Sequence, residues 1–424
     1  MRLRAVVAWA NLLLCGHSVL RLYMTLTLAV RLLLHYLGTP RERRRNIKWV
    51  IAGFAWLLVF VTACSAGPAA SSPSVSASSP PGKTPTVSHA VVPQVKNPWH
   101  PGMPQLGINV YWLANAKDPA DVINAKARRI INYAIGLNAN SIVLSFPFYT
   151  YSITSNALYA SVQTPSPAHI ALFLKEAAAS GVRVTLRPIL NEDNLVVENP
   201  NAWRGDIEPT DPGAWFTSYQ QLLMPYATVA AAGHAETFVV GTELNSVEQD
   251  PRWPALIQNI RSVFTGELAY DENFDEFQQK DANLPVPVFG VDAYPRFQLT
   301  DSATVDQLSG AWEQWLSTHT LAVRERTILS EVGITPVAGS YSDPGHWYGV
   351  QQDPIMPIMQ SRWFNAVCDA ASAEHLGGLY WWEIDFDADP ANPVPFQSNK
   401  ITFLGRPAQQ QVQACFARLS TGNG

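Results

Sequence analysis

From residue 105 onward, short apolar runs alternate with longer segments whose apolar positions recur every three to four residues. The short runs are 105–112 (QLGINVYW), 141–149 (SIVLSFPFY), 183–190 (RVTLRPIL), 237–244 (TFVVGTEL), 267–274 (ELAYDENF), 287–295 (PVFGVDAYP), 327–334 (TILSEVGI) and 378–386 (GLYWWEIDF). Each has the length of a strand, and the segments 118–136, 166–180, 214–232, 254–264, 304–318, 355–375 and 407–419 between or after them read as helices. Repeated strand–helix units put parallel strands in one sheet covered by helices. Eight such units in one domain predict an α/β fold of the (β/α)8 TIM-barrel type rather than an open doubly wound sheet. The fifth unit is the weakest, since little chain for a helix lies between Phe274 and Pro287.

Ahead of residue 99 the alternation is missing. Residues 41–48 (RERRRNIK) are cationic and 49–63 (WVIAGFAWLLVFVTA) are apolar but short for a membrane span, so 1–63 reads as a signal and targeting region. Val61-Thr62-Ala63-Cys64 resembles a bacterial lipobox, which implies a mature N-terminus at Cys64 that carries lipid. A plain membrane anchor ending in an incidental cysteine is the alternative. Residues 1–40 are apolar but broken by Arg21 and Arg31, as expected of a start assigned too far upstream. Residues 64–98, rich in Ser, Pro and Ala, read as an extended, lipid-anchored tether, and 99–424 as the catalytic domain. The expected location is the bacterial cell surface, facing the extracellular side.

With 424 residues, 47% hydrophobic and 15% charged, the chain can bury a large core. A formal charge of -5 gives no basic footprint, which argues against nucleic acid as a partner and for a neutral substrate. Fourteen Trp and fourteen Tyr either stack on sugar rings or fill the core. Of four cysteines, Cys368 and Cys415 fall on the last two predicted helices, neighbours in a closed ring; either a disulfide or two buried thiols fits. No zinc-ligand spacing and no Gly-rich phosphate loop is found, so no metal or organic cofactor is expected. The domain is expected to act as a monomer.

Polar residues gather at the C-terminal ends of the runs, the rim where barrel enzymes build active sites. Trp112, Asn191, Glu243, Glu272, Asn273, Tyr294, Glu331, Trp382 and Glu383 all belong to it. Glycoside hydrolysis needs two carboxyl groups about one bond, and Glu243 and Glu331, ending the fourth and seventh runs, would face one another across the mouth. A separation of about 5–5.5 Å is expected, the spacing of retaining enzymes. The charge of Glu331 is expected to hold Glu243 protonated as the acid. Tyr294 is expected to hydrogen-bond Glu331, and Trp382 to floor the sugar site; both residues equally suit core filling. Asp271, Glu272, Asp292, Glu383 and Asp385 are rival carboxylates, expected to form ion pairs with Arg187 or Arg296. Gly241 and Gly333 beside the chosen pair are expected to leave space for substrate.

At these residues the chain resembles the retaining glycosidases of clan A, and more narrowly glycoside hydrolase family 113, the β-mannanase-type barrels. The resemblance rests on Val240-Gly241-Thr242-Glu243-Leu244, with Thr where the clan more often has Asn, on Ala202-Trp203-Arg204-Gly205-Asp206-Ile207, and on Thr265-Gly266-Glu267-Leu268-Ala269-Tyr270 leading to Asn273. It rests also on Asp292-Ala293-Tyr294, Ser330-Glu331-Val332-Gly333 and Gly378-Leu379-Tyr380-Trp381-Trp382. It implies endo-acting cleavage of β-1,4-mannan without a cofactor, with Trp203, Asn273 and Trp382 touching sugar. Trp112, Arg187 and Asn191 complete the expected substrate-binding set. The chain departs from the pattern at Arg187-Pro188-Ile189-Leu190-Asn191, where a Lys-Pro-His type sequence is expected, and in the extra run Trp382-Glu383-Ile384-Asp385. A non-catalytic oligosaccharide-binding lipoprotein and a same-clan enzyme of different sugar preference are the competing readings.

Overall fold

In the computed structural model, which describes residues 92–279, 284–345, 353–393, 395 and 398–421, strand β1 (Gln105–Tyr111) pairs in parallel with both β2 (Ser141–Thr150) and β8 (Gly378–Asp385). That double pairing closes the sheet. Between β2 and β8 the order runs through β3 (Arg183–Leu190), β4 (Thr237–Thr242), β5 (Glu267–Asn273), β6 (Val288–Asp292) and β7 (Ile328–Val332), each parallel to its neighbours. The expected TIM barrel is therefore the observed fold. A two-residue strand, Leu158–Tyr159, adds antiparallel to the end of β2.

Helices α1 (Ala120–Gly136), α2 (Pro167–Ser180), α3 (Pro212–Ala232), α4 (Trp253–Arg261), α5 (Phe274–Gln279), α6 (Val305–Leu316), α7 (Pro357–Ala373) and α8 (Pro407–Leu419) follow the eight strands in turn. Local chemistry sets their ends. Ser166 accepts from the His169 N–H, Pro167 follows at the first helical position, and Gly181 closes α2 at φ 69°. Thr304 and Gln307 form a reciprocal capping box at the start of α6. The weak fifth unit has a helix after all, α5, six residues long.

Side-chain parity along each strand divides the interior into two regions. Outward-facing Leu106, Ile108, Val110, Leu144, Phe238, Leu268, Leu379 and Trp381 meet the helices in one continuous apolar annulus. Trp215, Trp253, Trp312, Trp363 and Trp381 are fully buried there, so much of the tryptophan content fills core. Inside the ring, Val143, Ile328 and Tyr380 form a separate small apolar cluster, with Val288 packed on it. The inward positions nearer the strand C-termini are polar: Asn109, Ser145, Arg187, Asp271, Asp292 and Ser330 are all buried.

The first described residues dock where the strands begin. Val95 donates its N–H to the Ser180 carbonyl (3.1 Å), Lys96 bonds Asn138 (3.0 Å), and Arg183 at the start of β3 lies 4.9 Å from the Trp99 ring centre. Residues 94–97, assigned by composition to the tether, thus pack on the domain. The signal region 1–63, Cys64 and the tether through residue 91 lie outside the described residues.

A disulfide joins Cys368 on α7 to Cys415 on α8, with Cα atoms 5.7 Å apart and a sequence separation of 47. A crosslink across such a loop restricts the unfolded chain. Replacing both cysteines by serine should lower stability by about 2–4 kcal/mol, read as the shift in a urea unfolding midpoint, with little change in folded-state spectra.

Candidate active site

The polar half of the barrel interior is organised by one cation. Arg187 on β3 is 0% exposed. Its Nε donates to Asp271 Oδ2 (2.7 Å), its Nη2 to Asp292 Oδ2 (2.5 Å) and its Nη1 to Glu331 Oε1. Ser330 Oγ donates to the second Asp271 oxygen (2.8 Å), and Asn109 ties in the Ser330 carbonyl (2.6 Å). Gly290 makes room for this packing, since a Cβ there would stand 1.9 Å from Ser330 Oγ and 2.1 Å from Asp271 Oδ1. Three carboxyl groups surround a single guanidinium, and they do not all stay charged. Burial, only partly offset by Arg187, pushes Asp292 well above the carboxylate range, and its Oδ1 has no hydrogen-bond partner among the described residues. Of the three, Asp292 is the one whose neutral form burial favours most.

Glu331, ending β7, takes the third arm of Arg187 and, on Oε2, the Tyr294 hydroxyl (2.7 Å). Burial and the adjacent Glu331 charge push the Tyr294 hydroxyl well above its usual range, so it stays a donor. Both Glu331 oxygens thus accept hydrogen bonds, the arrangement that suits a carboxylate.

Glu243 follows β4 with φ 51°, left-handed backbone that side-chain-bearing residues rarely adopt. Two hydrogen bonds hold it there. Its own N–H donates to the Asp271 carbonyl (2.8 Å), and the next N–H, of Leu244, donates to Tyr270 Oη (2.9 Å), which in turn donates to Glu248 (2.7 Å). The carboxyl so aimed accepts from Arg204 Nη1 on Oε2 (2.6 Å) and from Asn273 Nδ2 on Oε1 (2.7 Å). Arg204 is steadied by Glu192 (3.2 Å) and the Leu190 carbonyl (2.9 Å). The Glu243 pKa is raised to about 7, first by burial; Arg204 opposes this and Glu331 adds to it. Desolvation, rather than the Glu331 charge expected from the sequence, is therefore the main cause.

Glu243 and Glu331 open into one cavity of about 980 Å³, shared with Asn191, Trp203, Arg204, Asn273, Tyr294, Trp382 and Glu383. Three expected site residues are not there. Trp112 is 2% exposed and stacks on Phe386 with ring centres 4.0 Å apart, on the helix side of the sheet. Its neighbour Tyr111 has the inward parity and lines the cavity instead. Arg187 lies beneath the cavity, sequestered by its carboxylates, and so holds Glu331 rather than sugar. Glu272, with outward parity between Asp271 and Asn273, is 1% exposed and lines no cavity described here. Of the rivals, Asp271 and Asp292 pair with Arg187 as expected, whereas Arg296 pairs with Asp343 (3.1 Å).

The two glycines serve the protein's own packing. A Cβ on Gly241 would meet the Tyr270 and Trp253 rings at 2.7 and 2.9 Å, and one on Gly333 would meet Ile401 and the Trp382 carbonyl at 3.0 Å. Neither clears a path for substrate. Arg204 had no role assigned from sequence, and no local pattern identifies it: its partner lies 39 residues away.

The model of Glycoside Hydrolase Family 113 matches residues 117–395. A solved GH113 β-1,4-mannanase superposes at a TM-score of 0.62 with 18% identity over 74% of this chain and 99% of its own. The GH113 β-mannanase AaManA from Alicyclobacillus acidocaldarius, in complex with ManMIm, gives 0.59 and 20% identity over 75% and 98%. No curated protein matches the chain.

Replacing Arg187 by Met keeps much of the side-chain volume but leaves its carboxyl partners buried without their cation. A loss of about 3–5 kcal/mol is expected, measured by denaturant unfolding at neutral pH. Part of it should return at acid pH, where the carboxyl groups are neutral.

Proposed function

The chain belongs to Glycoside Hydrolase Family 113, and from that premise we propose that this glycoside hydrolase is a retaining, endo-acting β-1,4-mannanase with Glu331 as nucleophile and Glu243 as acid/base. The observation that carries this reading is the unequal treatment of two glutamates in one cavity: both Glu331 oxygens are held by donors, while burial brings Glu243 to a pKa of about 7. Glu331 attacks the anomeric carbon of a sugar seated against Trp382 as Glu243 gives its proton to the departing glycosidic oxygen. A glycosyl-enzyme ester forms. Glu243, now ionised, takes a proton from water, which attacks the same carbon and releases Glu331. A pKa near neutrality lets one group serve both half-reactions.

Tyr294 and Arg187 orient the nucleophile, while Arg204 and Asn273 position Glu243 and favour its ionised form against burial. Tyr111, Asn191, Trp203, Asn273 and Trp382 supply the sugar-facing surface of the cavity. A second cavity of about 290 Å³, sharing Tyr111, Asp385 and Thr402 with the first, prolongs the cleft, which favours action within a long chain. The solved β-mannanases named above favour mannan as the sugar. Lipid attachment at Cys64 and a cell-surface location belong to the same proposal, with the domain acting as a monomer. The domain's first described residues dock at the strand N-termini, opposite the cavity.

Glu331→Ala should abolish mannan hydrolysis, and azide should then return a glycosyl azide of inverted configuration. Glu243→Ala should cost about 10²–10⁴-fold in kcat/KM. Proton NMR of the wild-type reaction should show the β-anomer first; first release of the α-anomer would exclude the retaining mechanism. Arg204→Met removes the cation that lowers the Glu243 pKa, so the descending limb of kcat/KM against pH should move to higher pH. A limb unmoved or shifted downward would rule out this control of the acid.

A further inference from the structure

Beyond the reacting pair, the cavity wall carries two carboxyl groups of a different character. Glu383 and Asp385 stand two residues apart on β8 and both line the cavity next to Trp382. Residues so spaced project to the same side of a strand, about 6.5–7 Å apart along it. Most other acids of this wall are engaged, Glu192 and Glu243 with Arg204, Glu331 with Arg187 and Tyr294, Asp343 with Arg296 and Asp275 with the Glu276 N–H, while Asp193 is exposed. Glu383 and Asp385 have no side-chain hydrogen bond or ion pair among the described residues. Asp385 also lines the adjoining cavity, so the pair sits where a bound chain would pass from one to the other.

We propose that Glu383 and Asp385 form a specificity wall that hydrogen-bonds free neighbouring hydroxyls on the sugar against Trp382 and on the sugar beyond it, so that the enzyme selects unesterified, uncharged polysaccharide. Carboxyl groups that line a cleft and have no side-chain partner among the described residues match a diol, which offers donors and acceptors together. Burial pushes Glu383 well above the carboxylate range and Asp385 and Glu331 push it further, with Lys400 opposing. Burial thus favours the neutral form of Glu383, which can both donate and accept. Burial likewise raises Asp385, again against Lys400. An O-acetyl ester removes the hydroxyl donor and adds bulk at this wall. A uronate would bring a negative charge close to the Glu331 carboxylate and against a wall whose burial disfavours charge, and is turned away for that reason.

This inference rests on the mannanase reading, and the test separates the two. Wild type, Glu383→Gln, Glu383→Ala and Asp385→Asn are assayed on deacetylated mannan, on the same mannan after chemical O-acetylation, and on a carboxymethylated derivative. Wild type should prefer the deacetylated chain at least about tenfold. Glu383→Ala should raise KM about tenfold on that chain with kcat nearly unchanged and should lose most of the discrimination, whereas Glu383→Gln, which keeps a donor and an acceptor, should retain part of it. Asp385→Asn guards against a folding defect in the Glu383 variants and should weaken the same preference. Calorimetric binding of a mannan oligosaccharide to Glu331→Ala, with and without Glu383→Ala, reads the wall without turnover. Unchanged KM, affinity and discrimination in the Glu383 and Asp385 variants would overturn the specificity wall while leaving hydrolysis intact. A wild type inactive on all three mannans would instead overturn the mannanase reading, and the binding arm would still decide the wall.

Discussion

One buried guanidinium sets the geometry of the whole upper barrel. Taking Arg187 out of water is costly, and the cost is offset only because Asp271, Asp292 and Glu331 each present an oxygen to it. Asp271 extends this arrangement beyond its own ion pair. Its carboxylate receives Arg187 and Ser330, while its backbone carbonyl receives the Glu243 N–H. A single β5 residue is thereby tied to the elements that carry both glutamates, β7 through Ser330 and β4 through Glu243. Displacing Arg187 would disturb Glu331 directly and Glu243 at one remove.

The apolar annulus makes such a polar interior tenable. Large side chains between strands and helices, Trp215, Trp253, Trp312, Trp363 and Trp381 among them, are fully buried and fix the strands. Tyr270 belongs to this outer layer, yet its hydroxyl reaches over to cap the Leu244 N–H and hold the left-handed turn at Glu243. Core packing therefore acts on the chemistry through a hydroxyl, and Gly241 is needed because Tyr270 and Trp253 occupy the space a side chain would take.

How far the chain could be read in advance follows from which features are local. Strand and helix periods are local, and the eight runs fall on β1 to β8 within a few residues at each end. The gathering of Asn191, Trp203, Glu243, Asn273, Tyr294, Glu331 and Trp382 follows from the barrel rule that strand C-termini share one rim. Trp112 falls outside the site because a single step of strand parity separates it from Tyr111, and the alternation Gly107, Asn109, Tyr111 carries that signal. Arg187 differs for another reason: a cation on an inward position suggests a ligand-binding group, and its carboxylates lie on three other strands. Such long-range encirclement leaves no mark in local sequence. The register shifts in β4 and β7, which bring Glu243 and Glu331 off the regular alternation, are likewise invisible to periodicity.

The electrostatics of the two glutamates turn on donors more than on their mutual repulsion. In the described state Glu243 accepts from a guanidinium on one oxygen and an amide on the other, a pattern that favours the ionised form. Protonation weakens these contacts without breaking them, because a neutral carboxyl still accepts, but less strongly than a carboxylate. Burial favours the neutral form and Arg204 the charged one, and the balance falls at about 7. Small movements of the Arg204 segment therefore weigh heavily on which form is present. On the proposed mechanism, a substrate entering beside Trp203 would change both terms together, excluding water and displacing donors, and so would favour the proton on Glu243 where a glycosidic oxygen can receive it.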